Sequence, residues 1–323
     1  MVDQMKKPKT VDHSWDNLIA GVQTGNVRAM ARLITRVEDR EPGWKDAMKT
    51  IYPATGSARV FGITGSPGAG KSSLTCEIAD ELVSRGLTVG IIAVDPSSPF
   101  SGGALLGDRL RMKKLFTLKE IFIRSMATRG MLGGLSQAAR DVVRIMDVFG
   151  KDIILIETVG VGQDEIEVVK AADLVMVVSI PGQGDGIQAL KAGIMEIADL
   201  YIINKADLPG SEEVMADILA MLELSSEPGE TVPPVLKTSA LKNYGIKELV
   251  TTLLTHQIGK NKQDFKREIQ AKEEILSLME SEVFSRISRQ WEHSGELDNA
   301  IRQMIDKKKD PYSIVTDMLQ QFI

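Results

Sequence analysis

The chain has 323 residues, with 39 Lys or Arg against 44 Asp or Glu, and a formal net charge of −5 at pH 7. Hydrophobic residues make up 43% and charged residues 26%, which excludes a disordered chain, and the acidic balance argues against a general nucleic-acid coat. The single cysteine, Cys76, excludes an internal disulfide and a multi-cysteine metal site, and His13, His256 and His293 are too scattered to form a metal cluster.

Leu18, Ile19, Val22, Val27, Met30, Leu33 and Ile34 recur at helical spacing, and Thr24-Gly25-Asn26 divides them into two helices. A short helix is expected over 44–51. From Arg59 the pattern changes to strand (59–64), helix (70–85) and strand (88–94). Further apolar runs at 121–124, 153–157, 174–179, 200–204 and 235–238 read as buried parallel strands. The fold class is therefore α/β: a doubly wound, mainly parallel sheet over 57–258, preceded by a helical extension (1–56) and followed by a helical region (259–323). The opening MVDQMKKPKTVDHSW has no apolar signal core, and no uncharged run approaches about 18 residues, so a cytoplasmic location without a membrane span is expected.

Gly65-Ser66-Pro67-Gly68-Ala69-Gly70-Lys71-Ser72 fits G-x-x-x-x-G-K-[ST] between an expected strand and helix, and Ser73 follows within the helix. Glycines let the backbone wrap a phosphate, while successive N–H groups and the helix N-terminus supply partial positive charge. Lys71 adds a full charge at the terminal phosphates, and Ser72 offers a hydroxyl to Mg²⁺. Asn204-Lys205-Ala206-Asp207 follows a later strand, where the Asp207 carboxylate can accept two hydrogen bonds from guanine and reject adenine. Ser239-Ala240-Leu241, after the last strand, matches the loop whose backbone N–H, that of Ala240, meets the guanine oxygen.

Glu157-Thr158-Val159-Gly160 stands where many GTPases carry D-x-x-G, with Gly160 offering its N–H to the γ-phosphate. No Gln follows Gly160 directly, which predicts slow unassisted hydrolysis. Asp95 and Asp108 complete a candidate metal set with Ser72 and Glu157, although Asp95 also reads as a turn former and Asp108 as a helix N-cap. The catalytic candidates are Lys71, Glu157 and Gly160.

GITGSPGAGKSSL, VDPSSPFSGGALLGDRLRM, ETVGVGQDE, PGQGDGIQALKAGIMEIAD and NKAD, in this order, resemble the MeaB/ArgK family of GTPases associated with methylmalonyl-CoA mutase. The resemblance spans nearly the whole chain. It implies GTP/GDP and Mg²⁺ as ligands, with Ser72, Asp95, Asp108 and Glu157 around the metal. It further implies a homodimer built partly from the terminal helices, and a chaperone role toward an adenosylcobalamin-dependent acyl-CoA mutase. Gly182 to Lys191, with Gln183, Asp185 and Lys191, resembles the segment that signals to the mutase; Asp185 also reads as a plain helix N-cap. Arg124 to Gly134 fits the family less well, and its role stays open. Two alternatives remain: a nickel metallochaperone-type GTPase, and a kinase linked to arginine/ornithine transport. The first would favour clustered Cys and His; the second sits poorly with a guanine-reading NKAD.

Overall fold

A computed structural model describes residues 14–95, 112, 114–127, 134–158, 171–182, 198–225, 232–256 and 260–320. It divides into two compact units, 1–263 and 264–323.

The first unit opens with α1 (Trp15–Gln23), α2 (Val27–Glu38) and α3 (Trp44–Ile51). Asn26 ends the break between α1 and α2 as an N-cap, its side chain accepting from the N–H groups of Arg28 and Ala29. The sheet strands are β1 (Arg59–Gly65), β2 (Val89–Asp95), β3 (Ile121–Ala127), β4 (Ile153–Thr158), β5 (Leu174–Ser179), β6 (Leu200–Ile203) and β7 (Val235–Lys237). All pair in parallel, in the order β3-β2-β4-β1-β5-β6-β7. Parallel strands need crossovers, and these include α4 (Lys71–Ser84), α5 (Gly134–Val148) and α6 (Ser211–Ser225), with α7 (Ile246–Thr255) after β7.

Alternation along the strands sends side chains to two apolar layers. Phe61, Ile63, Leu155 and Met176 pack with Leu74 and Ile78 of α4 and Leu249 and Leu253 of α7. Val60, Ile154, Ile156 and Val177 face the other layer, with Val142 and Ile145 of α5 and Ile218 of α6. The N-terminal helices join this second layer through Val22, Met30, Leu33 and Ile34, all fully buried. Both faces are covered, which is why the strands read as continuous apolar runs.

At the N-terminal edge, Asp173 and Asp199 each extend the ladder with a side-chain rung. Asp173 Oδ2 accepts from Val60 N (2.8 Å) and Asp199 Oδ2 from Val175 N (2.9 Å). Asp147 of α5 receives the N–H groups of Gly56 (2.5 Å), Ser57 (3.2 Å) and Ala58 (2.8 Å), fixing the entry into β1.

Ion pairs tie the N-terminal helices to the sheet domain. Glu38 of α2 takes both Nε and Nη2 of Arg124 on β3. This assigns Arg124 a structural contact that the sequence left open. Arg40 Nη1 donates to Asp141 Oδ2 of α5 at 2.8 Å, and its guanidinium stacks on Trp44 at 3.9 Å. Asp141 is 2% exposed; burial pushes its carboxyl up, while Arg40, Arg144 and Gln137 pull it partly back. A carboxyl raised in the folded state carries no penalty below its unfolded value and loses stability as the pH rises through the folded one. Arg40→Ala leaves the buried carboxylate with Gln137 and the more distant Arg144 alone among these partners, so it is expected to cost about 2–3 kcal/mol at pH 7. The loss should be smaller at a lower pH, as Asp141, its carboxyl raised by burial, takes up a proton. Urea unfolding at both pH values checks this; an equal cost at each would exclude the ionised carboxylate as its source.

The second unit holds most of α8 (Lys260–Ser294), then α9 (Glu296–Ile305) and α10 (Pro311–Gln320). Its small core joins Ala300, Ile314 and Met318 with Trp291. Many α8 apolar side chains stay open, including Phe265 (64% exposed), Met279 (57%) and Phe284 (72%). Among the described residues, no helix is long and apolar enough to cross a membrane.

Candidate nucleotide site

In a parallel sheet all strands end on one edge, and here that edge gathers the sequence motifs. β1 delivers Gly65 at φ +141°, where an added Cβ would lie 2.2 Å from Val178 O. A side chain at that point would push β1 off β5, so only glycine starts the loop there. The loop closes with Ala69 N donating to Ser66 O (3.1 Å), and Gly70 caps α4 at φ +84°. A Cβ on Gly70 would meet Asn204 Nδ2 at 2.7 Å. Pro67, Gly68 and Ser73 are exposed, and Ser66 is half-buried.

Lys71 and Ser72 open α4 and are 5% and 8% exposed. The Lys71 ammonium donates to Gly65 O (2.7 Å) and Ser66 O (3.0 Å), which holds a cation beside the loop's N–H groups. Ser72 Oγ donates to Glu157 Oε1 at 2.5 Å, so β4 and α4 meet at this hydroxyl. Glu157 is 3% exposed, and its strand register sets it beside Ile63 of β1.

The base side forms from the ends of β6 and β7. Asn204 N donates to Ser179 O (2.8 Å), and its Nδ2 donates to Ala69 O (2.9 Å). Lys205, at φ +56°, reaches Gly68 O with its Nζ (2.9 Å). The first two residues of the NKAD motif thus brace the phosphate loop. Ser239 Oγ donates to Asp207 Oδ1 (2.6 Å), and Lys242 Nζ lies 3.4 Å from Oδ2. Chiefly through the Ser239 hydroxyl, with Lys242 adding to it, the Asp207 carboxyl sits below its ordinary value. It therefore remains an ionised acceptor even in mild acid. The Ala240 N–H donates to Asn204 Oδ1 (3.2 Å), joining the segment after β7 to that after β6, and Leu241 is 92% exposed.

Asp95 ends β2 one residue beyond the rung that pairs Val94 with Thr158, on the same edge as Glu157. Asp108, Gly160, Gln183, Asp185 and Lys191 lie outside the described residues. Sequence reasoning missed Lys242, which carries no motif signal. It also passed over Thr158, whose one clue is a buried hydroxyl at the end of β4, next to Glu157.

The residues present suit a nucleoside phosphate. The glycine-lined loop, the helix N-terminus and a buried ammonium fit phosphate oxygens, and a hydroxyl beside a carboxylate is a hard-oxygen pair of the kind Mg²⁺ takes.

A model for "Methylmalonyl Co-A mutase-associated GTPase MeaB" matches residues 30–292. The chain belongs to the MeaB family. A relative from Pyrococcus abyssi, named as a GTPase, is 44% identical over 316 residues, covering 95% of this chain and 97% of its own. "GTPase ArgK" of Escherichia coli is 35% identical over 84% of this chain and 88% of its own. The "Methylmalonic aciduria type A homolog, mitochondrial" of Mus musculus is 32% identical over 83% of this chain and 70% of its own. A solved structure described as an "LAO/AO transport system kinase" superposes with a TM-score of 0.68 at 26% identity, covering 96% of this chain and 98% of that one. This MeaB-family chain is a P-loop GTPase that binds GTP and GDP.

Proposed function

We propose that this GTPase is a chaperone for an adenosylcobalamin-dependent acyl-CoA mutase, methylmalonyl-CoA mutase before others. GTP binding and hydrolysis gate loading of the intact cofactor and protect or restore the active mutase; a cytoplasmic location belongs to the same reading. The observation that carries it is the family match over residues 30–292, whose description names that mutase. The mouse relative, named for methylmalonic aciduria, points the same way.

In this reading the backbone from Gly65 to Ser73 cradles the phosphates. Lys71 turns from its loop carbonyls to the β- and γ-phosphates, where charge develops during transfer. Asp207 accepts from the guanine ring N–H and exocyclic amine, held in place by Ser239. Asn204, Lys205, Ala240 and Leu241 complete the base pocket. Ser72, Asp95, Asp108 and Glu157 hold Mg²⁺, which when bound neutralises phosphate charge. Gly160 offers its N–H to the γ-phosphate, and Val161 in place of a Gln leaves the free protein slow. Gln183, Asp185 and Lys191 carry the signal to the mutase.

The open apolar side chains of α8 fit a homodimer with C2 symmetry. Light scattering should give twice the 35.3 kDa chain mass, and a monomer at micromolar concentration would count against the dimer.

The test is GTP turnover with increasing mutase, together with retention of the mutase on the tagged protein. Stimulated turnover and co-purification are expected; unchanged turnover with no retention overturns the reading. The related solved structure described as a transport-system kinase favours a second reading, protein phosphorylation. Transfer of labelled γ-phosphate to a transport protein, rather than to water, would decide for it.

A further inference from the structure

Two buried hydroxyls lie side by side near the C-terminal ends of β1 and β4. Thr64 and Thr158 are both fully buried. Thr64 closes the apolar run of β1 and directly precedes Gly65 of the phosphate loop, and Thr158 ends β4 directly after Glu157. The register pairs Ile63 with Glu157, so the two threonines stand at the next rung of the β1–β4 ladder. Thr158 Oγ1 lies 3.2 Å from Thr64 Oγ1 and 3.4 Å from Ile63 O.

Burying a hydroxyl costs free energy unless it is hydrogen-bonded, and valine has the same shape without that cost. Packing alone therefore does not call for threonine at either position. The two faces of the ladder divide the work. Side chains alternate, so Ile63 and Glu157 face the α4 layer, where Glu157 meets Ser72. Thr64 and Thr158 share the opposite face with Val60, Ile154 and Ile156. The hydroxyl pair thus ties β4 to β1 behind the very rung that presents Glu157. Sliding β4 along β1 would break this bond and move Glu157 off Ser72 together.

We propose that Thr158, through its hydroxyl contact with Thr64, is a positioning residue that fixes Glu157 on Ser72 for the metal-assisted reaction. This rests on the reading of Ser72 and Glu157 as metal-holding groups.

The experiment uses the full chain and reads GDP release with Mg²⁺ and with EDTA, beside GTP hydrolysis. For Thr158→Val, release in EDTA should match wild type within about twofold, because the phosphate loop and base pocket are untouched. The slowing of release by Mg²⁺ should shrink about fivefold or more. The kcat should fall about tenfold with KM nearly unchanged, and Thr158→Ser should restore both. If Thr158→Val folds poorly, the double variant Thr64→Val with Thr158→Val replaces both partners by apolar groups and should recover stability without recovering the Mg²⁺ effect. A Thr158→Val protein, or in its place the double variant, with wild-type Mg²⁺ response and kcat overturns the proposal, as does a Thr158→Ser protein no better than the valine variant. If wild-type release is itself indifferent to Mg²⁺, the metal reading fails and takes this proposal with it.

Discussion

Asp207→Asn is expected to weaken GDP and GTP binding by about a hundredfold or more, while xanthosine diphosphate becomes the preferred ligand. In the proposed base site the carboxylate accepts from two guanine N–H donors, and an amide can accept one of them at best. Its NH₂ then faces a donor across the pocket, which leaves both groups without an acceptor. Xanthine carries a carbonyl in place of the guanine amine, so the new amide donor finds its match. The site favours a clean outcome, because Ser239 Oγ donates to Asp207 Oδ1 at 2.6 Å and the amide keeps an oxygen for it. Lys242, 3.4 Å from Oδ2, loses its ion pair, but it lies 62% exposed and water replaces the partner. Titration with fluorescent guanine, xanthine and adenine diphosphates checks the result. Unaltered preference for guanine would remove Asp207 from the base site.

Lys71→Ala should cut GTP hydrolysis by about a hundredfold. The ammonium is nearly buried, 5% exposed, and sits at the N-terminus of a 14-residue helix. A cation there opposes the helix dipole in the free protein, and a polyphosphate reverses the sign of that interaction. The free variant loses the contacts to Gly65 O and Ser66 O but sheds an unfavourably placed charge. Its own melting temperature should therefore move little. The thermal shift that GTP induces in wild type should largely vanish, since ligand stabilisation follows affinity for the folded state. Melting with and without GTP separates this from misfolding. Wild-type turnover in a folded variant would exclude Lys71 from the reaction.

The sequence by itself determined the strands, the phosphate loop and the order of the base motifs. Continuous apolar runs such as Ile153–Ile156 need burial on both faces, and G-x-x-x-x-G-K-[ST] is a backbone requirement written in glycine. The break at Thr24–Asn26 was legible for the same reason: it is local chemistry, with an Asn26 side-chain cap. Tertiary structure alone decided the strand order, because a run of Ile and Val carries no label for its neighbour. It also decided that Arg124 pairs with Glu38, 86 residues away, and Arg40 with Asp141, 101 residues away. No spacing rule reaches that far. The same holds for Asn204 bracing Ala69 across 135 residues, and for Thr64 meeting Thr158 across 94. Each of these contacts exists because parallel strands bring their C-terminal ends, or the helices over them, to one place. Local composition sets what a residue can bond to; the sheet order sets which partner arrives.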